Sequence, residues 1–356
     1  MSFFAVTLEK IRSAVAHPGA DRLDICTLDG MDFQFVTGRG AFAVGDSVLY
    51  FPLDSVLPEN VVSALGLTGR LAGADCNRVK TAVLRGEISQ GLVSKPELFL
   101  SPEQMSLSPA EITGLLGVRK YEPEPTMVQG GQLLPLPTGA VVYDIESASR
   151  FTEAADMLAD VPCAITEKME GMNFGVTCDV DGRVFVNQRE NTIIPDDEDA
   201  HYVWAAAKAH GLIEKVREIR DIVCKTPDLA RFAHQNITLY GELCGPKIQK
   251  NIYGLPAHRI FAFDIRAEVG FIPAPVFYDI TRDLQIETAP VLSYGATLRE
   301  WLNGVSISVA AGGSSQINAD VRREGVVIKP LVEGRWSRGR LIIKQHCPLY
   351  LAKSKI

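Results

Sequence analysis

The sequence lacks the features that would place it among membrane or disulfide-rich proteins. No apolar run reaches the roughly 18 residues that a membrane-spanning helix needs. The opening stretch "MSFFAVTLEKIRSAV" has no basic region followed by a long apolar core, so we expect no signal peptide. The seven cysteines are scattered and form no C-x-x-C pair. We therefore expect neither a zinc knuckle nor a disulfide framework, but a cytoplasmic protein without a membrane partner.

An excess of positive charge and a phosphate-binding glycine loop are also missing. The 356-residue chain has a formal net charge of -7, so any nucleic-acid binding must come from a local basic groove. The pattern G-x-x-x-x-G-K-[ST] is absent, which excludes a P-loop NTPase, and no H-I-G-H element supports a synthetase. The length is sufficient for two domains with separate cores.

The pattern of residues divides the chain into three segments. Short alternating stretches such as "RLDICTLDG", "MDFQFVTG", "DSVLYFPLD" and "NRVKTAVLRG" predict a small barrel in residues 1–120. Proline, glycine and glutamate dominate the next stretch, which predicts a surface linker over 121–146. A second domain is predicted over 147–356.

Helical and strand patterns alternate in this second domain. "SRFTEAADMLAD" predicts a helix, "NFGVTCDVDGRVFVNQRE" a hairpin, and "DDEDAHYVWAAAKAHGLIEKVREI" one amphipathic helix opened by acids. Four further stretches predict strands that carry charges near one end: "ITLYGELCG", "RIFAFDIR", "EGVVIKP" and "RLIIKQH".

Charged residues at these strands occur in a specific order. "EKMEGMNFG" resembles the lysine motif of the covalent nucleotidyltransferases, and "NQREN" resembles the arginine motif that comes after it. "LYGELCG", "FAFDIR", "EGVVIKP" and "RLIIKQH" are similar to motifs III, IIIa, IV and V. The form E-K-x-x-G-x-N-F with "FAFDI" downstream is most similar to the second family of phage-type RNA ligases, over about residues 147 to 347.

The chemistry of that family explains these residue types. A lysine amine attacks the α-phosphate of a nucleotide, yet with a pKa of about 10.4 only roughly one lysine in a thousand is neutral at pH 7.5. Cationic neighbours or a metal must lower that pKa, and Mg²⁺ or Mn²⁺ favours carboxylate and water oxygens. The resemblance implies Lys168 as nucleophile, ATP as nucleotide, and Glu170, Glu242 and Glu324 around the metal.

The resemblance also implies the residues that hold the nucleotide, namely Glu167, Asn173, Arg189, Glu242, Phe263, Lys329 and Lys344. Lys329 and Lys344 would neutralise the α-phosphate. Phe263 would stack on the base, with Phe261 as an alternative on the same strand face. Glu167 points away from Lys168 in an extended strand, so it is expected at the nucleoside edge.

Two positions depart from the family pattern. Glu170 replaces the usual aspartate two residues after the lysine. His346 replaces the second lysine of motif V, whose role is either lost or taken by the histidine.

The N-terminal segment resembles a different family. "AHPGADRLDIC" and "NRVKTAVLRGEISQGLV" are similar to the OB-fold tRNA-binding modules appended to some aminoacyl-tRNA synthetases. Such barrels bind single-stranded or irregular nucleic acid on one face. The candidate phosphate contacts are Arg39, Arg78, Lys80 and Arg85. If the barrel instead closes over ATP, one of the acids Asp21, Asp54 and Glu87 would contact a triphosphate-bound metal.

The two resemblances together predict an α+β protein. An N-terminal OB-fold β-barrel would precede a mixed α/β nucleotidyltransferase domain with antiparallel sheets. DNA ligases and capping guanylyltransferases carry their OB domain after motif V, whereas some RNA ligases carry it first. We therefore predict a monomeric, ATP-dependent RNA ligase that joins an RNA 3′-OH to a 5′-phosphate in a nicked duplex, whose template strand is RNA or DNA. The alternatives are a guanylyltransferase, a DNA ligase, or a non-catalytic tRNA-binding protein.

Overall fold

The chain folds into two compact units that interleave along the sequence. The computed structural model describes residues 3–122 and 130–353. Within them, the smaller unit comprises residues 3–122, 146–153 and 348–353, and the larger unit comprises residues 130–145 and 154–347. No helix in these described ranges is long and apolar enough to cross a membrane.

The smaller unit is built on an antiparallel sheet with the order β3-β2-β1-β4-β8. Its strands are β1 Thr7–Ala16, β2 Leu23–Leu28, β3 Gln34–Gly38, β4 Ser47–Phe51 and β8 Leu92–Ser94. Shorter elements are β5 Ser55–Val56, α1 Glu59–Ala64, β6 Ala82–Leu84, β7 Glu87–Ser89, α2 Pro109–Leu115 and β9 Arg119–Lys120. Short 3₁₀ turns lie at Pro96–Leu98 and Glu103–Ser106. Strands β6 and β7 form a hairpin, and β5 pairs with β9.

Two segments distant in sequence complete the smaller unit. They contain β11 Glu146–Ser147, the start of α3 Thr152–Leu158, and α9 Pro348–Lys353. The Arg150 guanidinium donates to the backbone carbonyls of Phe3 and Ala5 at 3.2 and 3.1 Å. The ring of Phe151 meets that of Phe3 edge-on at 5.9 Å. These contacts bind the segment 146–153 to the first residues of the chain.

The larger unit contains a seven-stranded antiparallel sheet with the order β10-β15-β14-β13-β16-β17-β18. Its strands are β10 Gly131–Pro135, β13 Met172–Cys178, β14 Val184–Gln188, β15 Asn191–Pro195, β16 Ile237–Cys244, β17 Arg259–Ala267 and β18 Gly270–Phe271. Phe174, Val176 and Leu239 on one face are fully or almost fully buried. They pack in one apolar core with Val216 and Phe277, which lie on helices. Because side chains alternate along a strand, Asn173 and Glu242 point to the opposite face.

Helices cover the core face of this sheet. They are α4 Tyr202–Ala209, α5 Leu212–Lys225 and α6 Ala274–Asp283, with a 3₁₀ turn at Pro227–Phe232. The single amphipathic helix predicted from "DDEDAHYVWAAAKAHGLIEKVREI" is wrong, because the structure has two helices. Gly211 between them adopts φ 65°, a left-handed conformation that ends α4 and starts α5.

A second antiparallel sheet contains four strands of the larger unit in the order β23-β20-β12-β19. They are β12 Pro162–Lys168, β19 Val291–Thr297, β20 Gly325–Pro330 and β23 Ile343–His346. The remaining elements are α7 Leu298–Leu302, α8 Ile307–Ala310, β21 Arg335–Trp336 and β22 Gly339–Arg340. Lys168 pairs with Gly325, Gly325 with His346, and Val327 with Lys344. Paired residues share a face, so Lys168, Lys344 and His346 point to one side of this sheet.

The predicted mixture of helices and antiparallel sheets is confirmed, but the predicted linker over 121–146 differs from the structure. Residues 130–145 belong to the larger unit, where β10 pairs with β15. Residues 123–129 lie outside the described part of the chain. In residues 130–145, side chains of the larger unit hold the backbone at Gly139 and Val141, a condition that composition cannot distinguish from a loose linker.

Candidate active site

The lysine of the first motif lies in the larger unit, beside a carboxylate from motif IV. Lys168 ends β12, and Glu324 immediately precedes β20, the neighbouring strand. The Lys168 Nζ atom lies 2.7 Å from Glu324 Oε1, and both side chains are largely buried, with 23% and 14% of their surface exposed. A buried ion pair at adjoining strand ends explains why the sequence places a charged residue next to the core.

Two more carboxylates surround this lysine. Burial lowers the pKa of Lys168, but the charges of Glu324, Glu242 and Glu170 outweigh it, so the pKa lies above its ordinary value. Burial also raises the pKa of Glu242 to about 8, against the opposing effect of Lys168. The protein alone therefore keeps Lys168 protonated, and a nucleophilic amine requires further positive charge among these carboxylates.

A close approach of two motifs explains the glycine three residues after the lysine. A Cβ atom on Gly171 would lie 2.5 Å from the Leu243 carbonyl oxygen and 2.8 Å from Cγ of Glu242. Glycine at this position lets the turn after Lys168 lie directly against β16. The K-x-x-G pattern thus brings Glu242 to the lysine.

Glu167 points away from Lys168, as alternation along the strand predicts. Its side chain is 1% exposed, and Oε2 accepts a hydrogen bond from the Gln316 amide at 2.8 Å. The other oxygen, Oε1, is buried and has no donor among the residues that the structure describes. Since a buried acceptor without a donor is costly, this atom fits a ligand that supplies one.

Lys329 occupies a different environment from the one predicted. Its Nζ atom donates to the Phe263 carbonyl oxygen at 3.0 Å and lies 3.3 Å from Asp264 Oδ1. Asp264 is fully buried and also binds Arg340 and the Tyr143 hydroxyl. Burial alone would raise the pKa of Asp264, but Arg340 and Lys329 hold it below its ordinary value. Lys329 is therefore part of a buried ion-pair group, and its contact with an α-phosphate stays a prediction.

The two candidate phenylalanines differ in accessibility. Phe261 is completely buried and packs with Met169, Cys244 and Tyr253, so it has no face for a base. Phe263 is partly exposed, and its ring lies 4.8 Å from that of Tyr143. Phe263 packs against the apolar cluster that contains Phe261, so the two rings lie on one face of β17, although the pairing of β16 with β17 shifts register beside Phe263.

Two predicted nucleotide-binding cations share one carboxylate that sequence reasoning missed. Arg189 Nη2 lies 3.3 Å from Asp144 Oδ2, and Lys344 Nζ lies 3.6 Å from Asp144 Oδ1. Asp144 lies in the stretch that composition assigned to a linker. The remaining predicted contact, Asn173, lies opposite Glu242 in the pairing of β13 with β16 and on the same face.

His346 faces the same cluster. Its Nε2 atom lies 3.6 Å from the Glu324 oxygen that binds Lys168. Burial, together with the charges of Lys168 and Lys344, holds the pKa of His346 well below its ordinary value. The side chain is therefore neutral near pH 7, and it does not replace the charge of a second motif V lysine.

The carboxylates fit a loosely held divalent cation rather than a closed metal site. In the described ranges, no three histidine, cysteine or acidic side chains are gathered as a ready set of ligands. Glu324 Oε2, however, is buried, and residues 3–122 and 130–353 offer it no donor. Mg²⁺ commonly binds one or two carboxylates and completes its shell with water and substrate phosphates. The open oxygen of Glu324, with Glu242 and Glu170 nearby, meets that requirement.

The predicted nucleic-acid contacts of the smaller unit differ in exposure. Arg39 is exposed and lies 3.4 Å from Asp24. Arg78 binds Asp54 at 2.6 Å and stacks 3.3 Å above the Tyr121 ring. Arg85 is exposed in the β6–β7 turn with φ 52°, and Lys80 is partly buried.

The three acids of the alternative metal site differ in their surroundings. Asp54 is held by Arg78, and Glu87 accepts a hydrogen bond from Gln34 at 2.9 Å. Asp21 is exposed.

Solved RNA ligases share this fold. The Naegleria gruberi RNA ligase with PPi is 24% identical, with a TM-score of 0.79 over 99% of this chain and 98% of that chain. A lysine-to-alanine variant of the same ligase with ATP and Mn has a TM-score of 0.80, at 24% identity and 99% coverage of both chains. A form with AMP and Mn has a TM-score of 0.79, with the same identity and coverage. The comparison with curated proteins gives no match.

Family models match both parts of the chain. An OB-fold domain model matches residues 5–96, which confirms the predicted fold of the N-terminal segment. The RNA ligase model matches residues 161–346, more than half of the chain, and spans every motif from the lysine to His346. The chain therefore belongs to the RNA ligase family, as its ordered motifs predict.

Proposed function

We propose that this protein is an ATP-dependent ligase that seals an RNA 3′-OH to a 5′-phosphate in a nicked duplex through a lysyl-AMP intermediate. The observation that carries the proposal is the buried Lys168–Glu324 pair, with Glu242 and Glu170 close enough to raise the lysine pKa. The solved relatives with ATP and Mn or AMP and Mn support ATP and a divalent cation as the ligands.

In the first step, the Lys168 amine attacks the α-phosphorus of ATP. A phosphorus–nitrogen bond forms, the bond to the β-phosphate oxygen breaks, and pyrophosphate leaves. The ammonium proton must leave first, which the surrounding carboxylates oppose. A divalent cation held by Glu170, Glu242 and Glu324 would supply the positive charge that lowers this pKa.

The other predicted residues would position the nucleotide. Glu167 Oε1 has no donor among the described residues and would accept a hydrogen bond from the base. Phe263 would stack on the base, and Arg189 and Lys344 would contact the phosphates. Asn173 lies beside Glu242 and would contact the nucleotide there. Lys329 would hold the Phe263 carbonyl and Asp264 in place, and its contact with the α-phosphate stays a prediction.

AMP would next be transferred to the 5′-phosphate of the nick, and the 3′-OH would then displace it. These steps require the two nucleic-acid ends to be held in line. We assign that task to the OB-fold part of the chain, with Arg39, Arg78, Lys80 and Arg85 as candidate contacts. A monomeric state and a cytoplasmic location stay predictions.

The test is covalent labelling of the protein. Wild-type protein is incubated with Mg²⁺ and ATP or GTP labelled at the α-phosphate, then separated by denaturing electrophoresis. We expect label from ATP, and none with Lys168→Met, which keeps the bulk of the side chain and removes the amine. Lys208→Met, at an exposed lysine paired with Glu198 and Asp199, is the matched control and should label normally. Labelling of Lys168→Met, or labelling by GTP alone, would contradict the proposal.

A further inference from the structure

An extended segment next to the site is held by three successive anchors. The segment comprises residues 139–144, and we call it the strap. Arg266 donates to the Gly139 carbonyl, and the Tyr240 hydroxyl accepts from the Val141 amide at 2.7 Å. The Tyr143 hydroxyl donates to Asp264 Oδ2 at 2.7 Å. Because these anchors fall on alternate residues, the position of the next residue, Asp144, is fixed from both the strap and the sheet.

Asp144 connects cations from the two sheets of the larger unit. Arg189 follows β14 of the seven-stranded sheet, while Lys344 lies on β23 of the other sheet. Each cation contacts a different oxygen of the same carboxylate, at 3.3 and 3.6 Å. The Asp144 side chain is only 9% exposed, whereas Arg189 and Lys344 are 48% and 23% exposed. The carboxylate therefore lies beneath the cations, which are the more exposed partners.

We propose that Asp144 is a positioning residue for ATP, which orients Arg189 and Lys344 so that both can bind the nucleotide phosphates. This inference rests on the proposed function, because it assumes that the two cations contact ATP. Asp144 itself would touch no substrate atom.

The geometry favours positioning over competition with phosphate. A guanidinium has five N–H donors and an ammonium has three, so neither cation is saturated by one carboxylate oxygen. Long cationic side chains otherwise lose rotamer freedom when they bind a phosphate. A buried carboxylate that fixes both cations before ATP binds reduces the conformational entropy that they lose on binding, as in other preorganised sites.

The test begins with Asp144→Asn, which keeps the shape of the side chain and removes its charge. We expect kcat/KM for adenylation by ATP to fall by about tenfold or more, the scale of one charge-assisted contact. Asp144→Glu should recover part of the loss, because it restores the charge on a longer arm. Asp160→Asn removes an exposed acid that binds Arg299 at 2.7 Å, and it should adenylate like wild type. Thermal unfolding of each variant provides the check on folding.

A double-mutant cycle separates positioning from a purely structural role. In an Arg189→Ala, Lys344→Ala background, adding Asp144→Asn should change residual adenylation by less than about twofold. A full additional loss there, or wild-type activity of Asp144→Asn alone, overturns the inference. Higher activity of Asp144→Asn also overturns it and indicates that the carboxylate competes with phosphate. Normal labelling of Lys168→Met in parallel would show instead that the proposed function has failed.

Discussion

The ion pairs of the two units differ in how deeply they are buried. In the smaller unit one partner of each pair stays accessible, with Arg39 at 53% in Arg39–Asp24 and Asp54 at 47% in Arg78–Asp54. In the larger unit both partners are largely buried, as in Lys168–Glu324 and the group around Asp264. A pair with an accessible partner contributes little to stability, because water and salt screen it. Buried charges require partners, because an unpaired buried charge is costly.

The largest expected difference between the units is in stability. Asp264→Asn leaves the buried Lys329 and Arg340 without their shared carboxylate, and we expect a loss of about 3–5 kcal/mol. Asp54→Asn breaks an ion pair in which Asp54 is 47% exposed, and we expect about 1 kcal/mol or less. Asparagine tolerates the left-handed backbone of Asp54, at φ 68°, so strain should not enter the comparison. Denaturant unfolding of both variants measures the difference, and equal losses would contradict it.

The next largest expected effect is on the rate of adenylation. Glu324→Ala removes the carboxylate that binds Lys168 and the open oxygen beside it, and adenylation should fall by about 10²-fold or more. Thermal unfolding shows whether the variant remains folded. Glu59→Ala, an exposed acid on α1 of the smaller unit, is the control and should label at the wild-type rate. Near-normal labelling of Glu324→Ala at limiting Mg²⁺ would remove this residue from the site.

A smaller effect is expected on the pH dependence of the free energy of unfolding. The pKa of Glu242 is about 8 in the folded protein and ordinary, near 4.3, in the unfolded chain. Between pH 7 and 8.5 the folded state therefore binds more protons, and stability in metal-free buffer should fall as pH rises. Burial also raises the pKa of the Cys163 and Cys244 thiols, which adds a slope of the same sign toward pH 8.5, so the prediction concerns the difference between wild type and the variant. Glu242→Gln should reduce the slope, and an unchanged slope in denaturant unfolding would assign it to another group.

The smallest expected effect returns to the smaller unit. Arg85→Asn removes one exposed charge at a backbone position where asparagine is tolerated. If Arg85 binds a phosphate, the salt dependence of nucleic-acid binding should weaken by about one unit of slope. Adenylation should not change. Binding titrations at several salt concentrations would show an unaltered slope if this arginine contacts no phosphate.

The sequence predicted the site best where the chemistry restricts the residue type. The order of motifs identified Lys168, Glu242 and Glu324, which the structure brings together. Alternation along β12 also separated Glu167 from Lys168. These predictions depend on strand periodicity and on the few side chains that can act as nucleophile or hold a cation.

The sequence is less informative where a side chain has several possible partners. Lys329 is compatible with a phosphate or with a buried acid, and only the tertiary structure shows its contact with Asp264. Tyr143 and Asp144 lie in a stretch rich in glycine and proline, where composition does not distinguish a residue near the site from one in a surface loop. The apolar run "AVVY" directly before Asp144 is a signal that could have indicated an ordered segment.

The smaller unit cannot be removed by deleting one continuous segment, because it is built from three separate parts of the chain. A protein that lacks residues 1–120 would keep Arg150 and Phe151 but lose Phe3 and Ala5, which contact them. It would also keep α9, which belongs to the same unit as the deleted strands. Loss of the first segment alone would therefore remove contacts of Arg150 and Phe151 and separate α9 from most of its unit. A deletion of the smaller unit has to remove all three of its segments.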